Sequence, residues 1–352
     1  MLIGVAPAFA LTSMLVNGAR TRRQALAGTW AERGAQDLAD HRSDAAADDF
    51  RTAMEYAPDR NVYRRQLAEA LVAADRSTEA RSQLLTLWSA TPGDGPVNLD
   101  LARLAARDGN VNDAIRYYHA AIDGAWQQDA PVARRTARVE LARFLLDRGA
   151  QTQAQAELIA LAGDLPPDPE LLTDAAALLV KAGAAGRAVA ILQRALELNP
   201  SNARALRLAG EASFKGGDYR AARSFLERLK ARGPIDPEGS RMLDLSARVL
   251  ALDPFSRDIS SRERIRRVMR AYDIAADALD RCSAGELDGL RDAMRADQSS
   301  MTERKLAADP DAVDHITMLV GQVEDAVGQR CGPGSADDAA LHLILAERRS
   351  PP

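Results

Sequence analysis

The side chains best able to do chemistry in this chain are few and scattered. Its four histidines are His41, His119, His315 and His342. None has a second histidine three or four residues away, the spacing that puts two imidazoles on one helix face around a metal. Its two cysteines, Cys282 and Cys331, could act as nucleophiles only beside a base. A disulfide between them would close a long loop worth about 4 kcal/mol of chain entropy and would point to an oxidising compartment. Two separate buried thiols fit the sequence equally well. The chain has no phosphate-binding G-x-x-x-x-G-K-[ST], no G-x-G-x-x-G, no H-E-x-x-H, no G-x-S-x-G and no C-x-x-C. The reading is of a protein with no catalytic site, no cofactor or metal and no small-molecule substrate, whose work is binding.

The elements that would position a binding surface are helices. The 352 residues suffice for two to three structural units, and aromatic residues are only 4% of them. Alanine is abundant, which favours helix over sheet and points to an all-α fold. The net charge of −4 argues against a general nucleic-acid binder.

A repeat dominates the middle of the chain. Small residues recur at Gly34, Ala68, Ala102, Ala142, Ala176 and Gly210, spaced by 34 residues except for one step of 40. A column of alanines keeps the same spacing: Ala46, Ala80, Ala114, Ala154, Ala188 and Ala222. Four residues after each alanine stands Phe50, Leu84, Tyr118, Leu158, Leu192 or Leu226, a helical offset that puts both on one face. Pro58, Pro92, Pro166, Pro200 and Pro234 close five units, and Trp126 stands at that place in the third. Gly109, Gly149, Gly183 and Gly217 fall between the two helices of a unit, where a tight turn needs positive φ; His41 and Asp75 replace them in the first two units.

This pattern resembles the tetratricopeptide repeat, most fully at Trp30, Gly34, Ala46, Phe50 and Pro58. The resemblance implies a helical-repeat solenoid of six helix pairs over residues 27–236, with units 27–60, 61–94, 95–128, 135–168, 169–202 and 203–236. The six extra residues before the fourth unit, around Gln127, Gln128 and Pro131, are expected to lengthen a turn. A capping helix is expected over 237–256 and a small helical bundle over 257–350. Ser260 with Glu263 would open one bundle helix and Asp309-Pro310 another, with Ile316, Leu319, Val323 and Val327 facing inward. Arg262, Arg264, Arg266, Arg267 and Arg270 form a basic run on the first of them, read mainly as a solvated face.

In this family the first helix of each repeat lines the concave surface, where peptides or partner helices bind. Carried over, that geometry implies a groove presenting Arg65, Glu69, Arg103, Arg107, Arg143, Asp147, Glu170, Lys181, Arg204, Arg207, Glu211 and Lys215. Basic residues outnumber acidic ones in that set, so the expected partner is a protein or peptide bearing an acidic segment or free carboxylate. The paired Asn set with which family members clamp heat-shock chaperone tails is not present.

Residues 1–19 begin with an uncharged apolar run to Asn17, followed by Arg20, Arg22 and Arg23. The run reads as a membrane anchor at the short end of the spanning range, with a signal segment or a buried helix as alternatives. The arginines would put the repeats in the cytoplasm by the positive-inside rule, whereas a disulfide would put them outside it, and the balance leans towards the extracytoplasmic side. The expected function is a membrane-tethered scaffold for protein or peptide partners. A helical-repeat RNA binder is the alternative, disfavoured by the acidic balance, and an activity in the carboxy-terminal bundle is a third.

Overall fold

The computed structural model describes residues 5–282 and 287–349. All the regular structure among them is helical, apart from a single bridge between Asp94 and Ala125. The chain forms two compact units, Met1–Leu161 and Ala162–Pro352.

In the first unit, α1 (Val5–Ala39) pairs with α2 (Ser43–Tyr56), α3 (Asn61–Ala73) with α4 (Ser77–Ala90), and α5 (Gly95–Arg107) with α6 (Val111–Asp123). Then α7 (Ala130–Asp147) meets the start of α8 (Gln151–Gly163). The second unit holds the pairs α9 (Pro169–Lys181) with α10 (Ala185–Leu198) and α11 (Ala203–Lys215) with α12 (Tyr219–Lys230), followed by α13 (Pro237–Leu252). The alanine column is fully buried at all six positions, and each large residue four places on is also in the core, from Phe50 to Leu226. Small residues on one helix and large ones on its mate are what lets each pair close. The turn prediction holds in detail: φ is +77° at Gly109, +71° at Gly149 and +77° at Gly183 and Gly217, while His41 and Asp75 sit at +60° and +61°.

Two expectations need correction. The residues at the amino terminus do not form a separate helix: α1 runs unbroken for 35 residues through Arg20, Arg22 and Arg23 into the first repeat. No helix among the described residues is long and apolar enough to cross a membrane. Met1–Gly4, which the anchor reading includes, lie outside the described residues. The second concerns the six extra residues before the fourth unit. They lengthen a helix rather than only a turn: α7 has 18 residues where α5 has 13, with Pro131 in its first turn. Trp126 holds the preceding loop by donating from Nε1 to the Ala121 carbonyl at 2.9 Å, and it lies over Gly95, where a Cβ would come within 2.5 Å of its ring.

In the second unit α14 (Ser261–Arg281), α15 (Asp288–Asp297), α16 (Glu303–Ala308), α17 (Pro310–Arg330) and α18 (Ala336–Arg349) complete the chain. Ser260 Oγ accepts from the Glu263 amide at 3.2 Å, so the capping residue starts α14 as its pattern predicts. Ile265, Val268, Tyr272 and Leu279 pack with Ile316, Leu319, Val323 and Val327 in one core. Cys282 and Cys331 are joined by a disulfide that ties the end of α14 to the end of α17. Helix α18 also packs on α13, with Ala340 and Ile344 against Leu245, Val249 and Leu252, so the bundle and the capping helix share a core. The last bundle residue of the sequence reading, Ser350, lies outside the described residues.

Candidate interaction surface

The exposed faces of the first helices carry the candidate residues, and the structure pairs most of their cations with carboxylates of the protein itself. Arg65 on α3 reaches Asp100 on α5 at 2.8 Å. Asp100 also faces Arg103 on its own helix at 3.8 Å, and Arg103 grips Glu140 on α7 through bonds of 2.9 and 2.7 Å. Arg107 pairs with Asp75 in the turn after α3. Side chains from three successive repeats thus form one chain of alternating charge, Arg65–Asp100–Arg103–Glu140. Burial drives the Asp100 carboxyl upward, against the pull of Arg65 and Arg103. The Tyr118 hydroxyl is pushed up to about 12 by burial and, less, by the Glu140 carboxylate.

The second unit repeats the arrangement. Arg204 on α11 meets Asp174 on α9 at 2.5 Å. Arg207 binds Asp236 through bonds of 2.7 and 3.2 Å and lies 3.6 Å from Glu211, which in turn accepts from Lys215 at 2.8 Å. The guanidinium of Arg207, helped by the Gly239 amide, holds the Asp236 carboxyl down to about 2. Glu170 accepts from Asn202 at 2.8 Å.

Four of the groove positions differ from the rest. Glu69, Arg143, Asp147 and Lys181 are exposed and, among the described residues, make neither a salt bridge nor a side-chain hydrogen bond. The excess of positive charge expected on these faces is therefore largely met from within, by Asp75, Asp100, Glu140, Asp174 and Asp236, none of which the sequence reading placed there. The signal for them was the repeat itself, since partners lie about one period away: 37 residues for Arg103 and Glu140, 30 for Arg204 and Asp174, 29 for Arg207 and Asp236. The basic run on α14 is likewise satisfied: Arg262 pairs with Glu303, Arg266 and Arg267 with Glu263, Arg270 with Asp337, and Arg264 donates to the Pro254 carbonyl.

Of the histidines, His119 lies 3.7 Å from Glu157 and His315 2.9 Å from Asp297. Among the described residues no group of three or more His, Cys, Asp or Glu side chains is arranged to hold a metal ion.

Residues 179–244, spanning parts of α9 and α13 and everything between, match the tetratricopeptide-repeat family model. No curated protein matches the sequence. Similar solved structures include Pseudomonas aeruginosa PilF, 18% identical over 62% of this chain and 96% of its own, with a TM-score of 0.41. A repeat-containing protein from Cytophaga hutchinsonii is 11% identical over 88% of this chain and 98% of its own, with a TM-score of 0.45. YrrB, described as having an unusual peptide-binding site, is 15% identical over 50% of this chain and 88% of its own, with a TM-score of 0.35.

Proposed function

We propose that this tetratricopeptide-repeat protein is a scaffold that takes protein or peptide partners on the faces of its first helices. The observation that carries the reading is the ladder of charges between successive repeats. Each repeat touches only its neighbours in such arrays, so side chains that bridge neighbours hold the face in one shape before a partner arrives. A face already ordered loses less entropy on binding. Arg65, Glu69, Arg103, Arg107, Arg143, Lys181, Arg204, Arg207 and Lys215 form the proposed contact surface. Within it Glu69, Arg143 and Lys181 keep charges that a partner can neutralise without breaking an internal pair. The Cys282–Cys331 bond supports an oxidising, extracytoplasmic setting.

The test is site-specific photo-crosslinking in cells of origin, with the probe at position 69, 143 or 181 and a control at Gln193, an exposed site on the second helix of its pair. A defined protein joined at the three face positions and absent at Gln193 supports the scaffold. No adduct, or equal adducts at all four, overturns it. Alkylation of thiols before and after reduction in intact cells reports the compartment, and a freely labelled Cys331 would sink the extracytoplasmic assignment.

A further inference from the structure

Arginines at the start of the array lack the internal carboxylate partners that Arg65, Arg103, Arg107, Arg204 and Arg207 have on later first helices. Arg20 and Arg22 on α1 and Arg60 just before α3 are exposed and, among the described residues, form no salt bridge. Arg23 donates from Nη2 to the Glu55 carbonyl at 3.3 Å, a bond that leaves its charge uncompensated. Arg20, Arg23 and Arg60 line a single cleft of about 560 Å³ between α1 and the turn that joins α2 to α3. Val16, Ala19, Tyr56 and Pro58 give it an apolar wall, and Asp59 is the one carboxylate among its lining residues. The cleft exists because α1 is far longer than the first helix of a later repeat, 35 residues against 13 for α3, so its amino-terminal part projects past the repeat it belongs to. Every side chain from Ser13 to Leu26 is exposed, including Met14 at 78% and Leu15 at 68%.

An apolar wall rimmed by unpaired guanidinium groups fits one kind of occupant. We propose that this cleft docks an acidic segment of a protein partner, with an apolar side chain seated against Val16 and Tyr56 and carboxylates one helical turn away held by Arg20, Arg23 and Arg60. Guanidinium groups bind carboxylates in a planar, two-pronged geometry, so the charge and the shape select together. The concavity favours a peptide over a lipid surface, since a bilayer reaches the exposed Met14, Leu15 and Val16 but not the half-buried Tyr56 across the cleft. The inference rests on the scaffold reading and adds a site outside the repeat faces, where the expected affinity for acidic partners is placed instead.

The experiment uses the full chain and fluorescence anisotropy. The probes are a labelled helical peptide of Glu and Leu, its Lys and Leu counterpart, and vesicles with and without phosphatidylserine. The variant is Arg20→Glu with Arg23→Glu and Arg60→Glu, all at exposed positions, with circular dichroism to show that the fold persists. Arg187→Glu, at an exposed position on the second helix α10, serves as the control away from both surfaces. Each exposed ion pair is worth a factor of about two to five, so the parent should bind the acidic peptide at least about tenfold more tightly than the basic one. That binding should weaken with added salt, fall at least about tenfold in the triple variant and stay unchanged in Arg187→Glu. Equal binding of both peptides, no binding, no loss in the triple variant, or binding to phosphatidylserine vesicles alone would each overturn the proposal. A chain that fails these tests yet crosslinks a partner through positions 69, 143 or 181 loses the cleft and keeps the scaffold; one that crosslinks nothing loses the scaffold itself.

Discussion

Arg103 and Glu140 stand on the first helices of neighbouring repeats and meet through two hydrogen bonds, 2.9 and 2.7 Å, from one guanidinium to both oxygens of one carboxylate. The pair is half open to water on the arginine side, so its Coulomb energy is screened, but two-pronged geometry is the arrangement in which an exposed pair still contributes. A double-mutant cycle with Arg103→Ala and Glu140→Ala, followed by urea unfolding, should give a coupling of about 1 kcal/mol. A coupling indistinguishable from zero would mean that the ladder orders nothing.

The shape of the repeat was legible in the sequence because it rests on steric columns that must recur at one period. Ala46 and Ala80 are fully buried for the same reason that they align. The charge ladder was not legible, since Arg103 and Glu140 become neighbours only after two repeats stack and an insertion shifts the register. Helices α15 and α16 also escaped notice: with ten and six residues they bury only Met294 and Leu306, too little for a periodic signal. At the amino terminus the change of composition at Arg20 suggests the end of an element, yet Arg is a good helix former and no proline interrupts α1 after Pro7. The state of the proposed contact residues was not legible, because whether a surface arginine is free depends on carboxylates one repeat away.

Gly210 illustrates how tight the columns are. A Cβ built there would lie 2.6 Å from Cγ of Leu226, which is fully buried and has nowhere to go. Gly210→Ala gains about 1 kcal/mol of helix propensity but overpacks a closed core, which typically costs about 1–3 kcal/mol. The expected net result is a lower urea midpoint, even though alanine occupies the equivalent place at Ala176. A midpoint that rises would show that the α11–α12 pair can separate without loss.

His41 and Asp75 occupy turns where the later repeats use glycine, with φ of +60° and +61°. Left-handed backbone costs a non-glycine residue about 1–2 kcal/mol. His41→Gly should therefore raise thermal stability by about 1 kcal/mol. Asp75→Gly should gain less, because the same substitution removes the carboxylate that meets Arg107. Equal gains in both variants would show that the Arg107–Asp75 pair contributes nothing.

The disulfide closes a loop of 49 residues, for which chain entropy predicts about 4 kcal/mol of stabilisation. Reduction, or Cys282→Ala with Cys331→Ala, should loosen α14 and α17, and hydrogen exchange should show protection falling there and persisting in α3 to α6. Uniform loss over the whole chain would show instead that both compact units unfold together.

Glu324 on α17 is buried, and its Oε1 has no hydrogen-bond partner. Burial first, then the facing Asp338 of α18 and the nearby Asp325, raise its carboxyl to about 8, and Arg281 of α14 opposes them only weakly. The folded chain thus keeps a proton that the unfolded chain, with an ordinary carboxyl near 4.5, has released. Between those two values the native state binds more protons, so stability falls as pH rises from about 4.5 and levels off above about 8. Glu324→Gln keeps the shape and cannot ionise. Urea midpoints at pH 5 and pH 8 should therefore differ less in the variant than in the parent, with the variant the more stable at pH 8 by a few kcal/mol as an order of magnitude. Comparing the two chains removes the contribution of groups such as Asp236, whose lowered value acts only in strong acid. Parallel pH profiles for parent and variant would mean that Glu324 ionises in the folded bundle without cost.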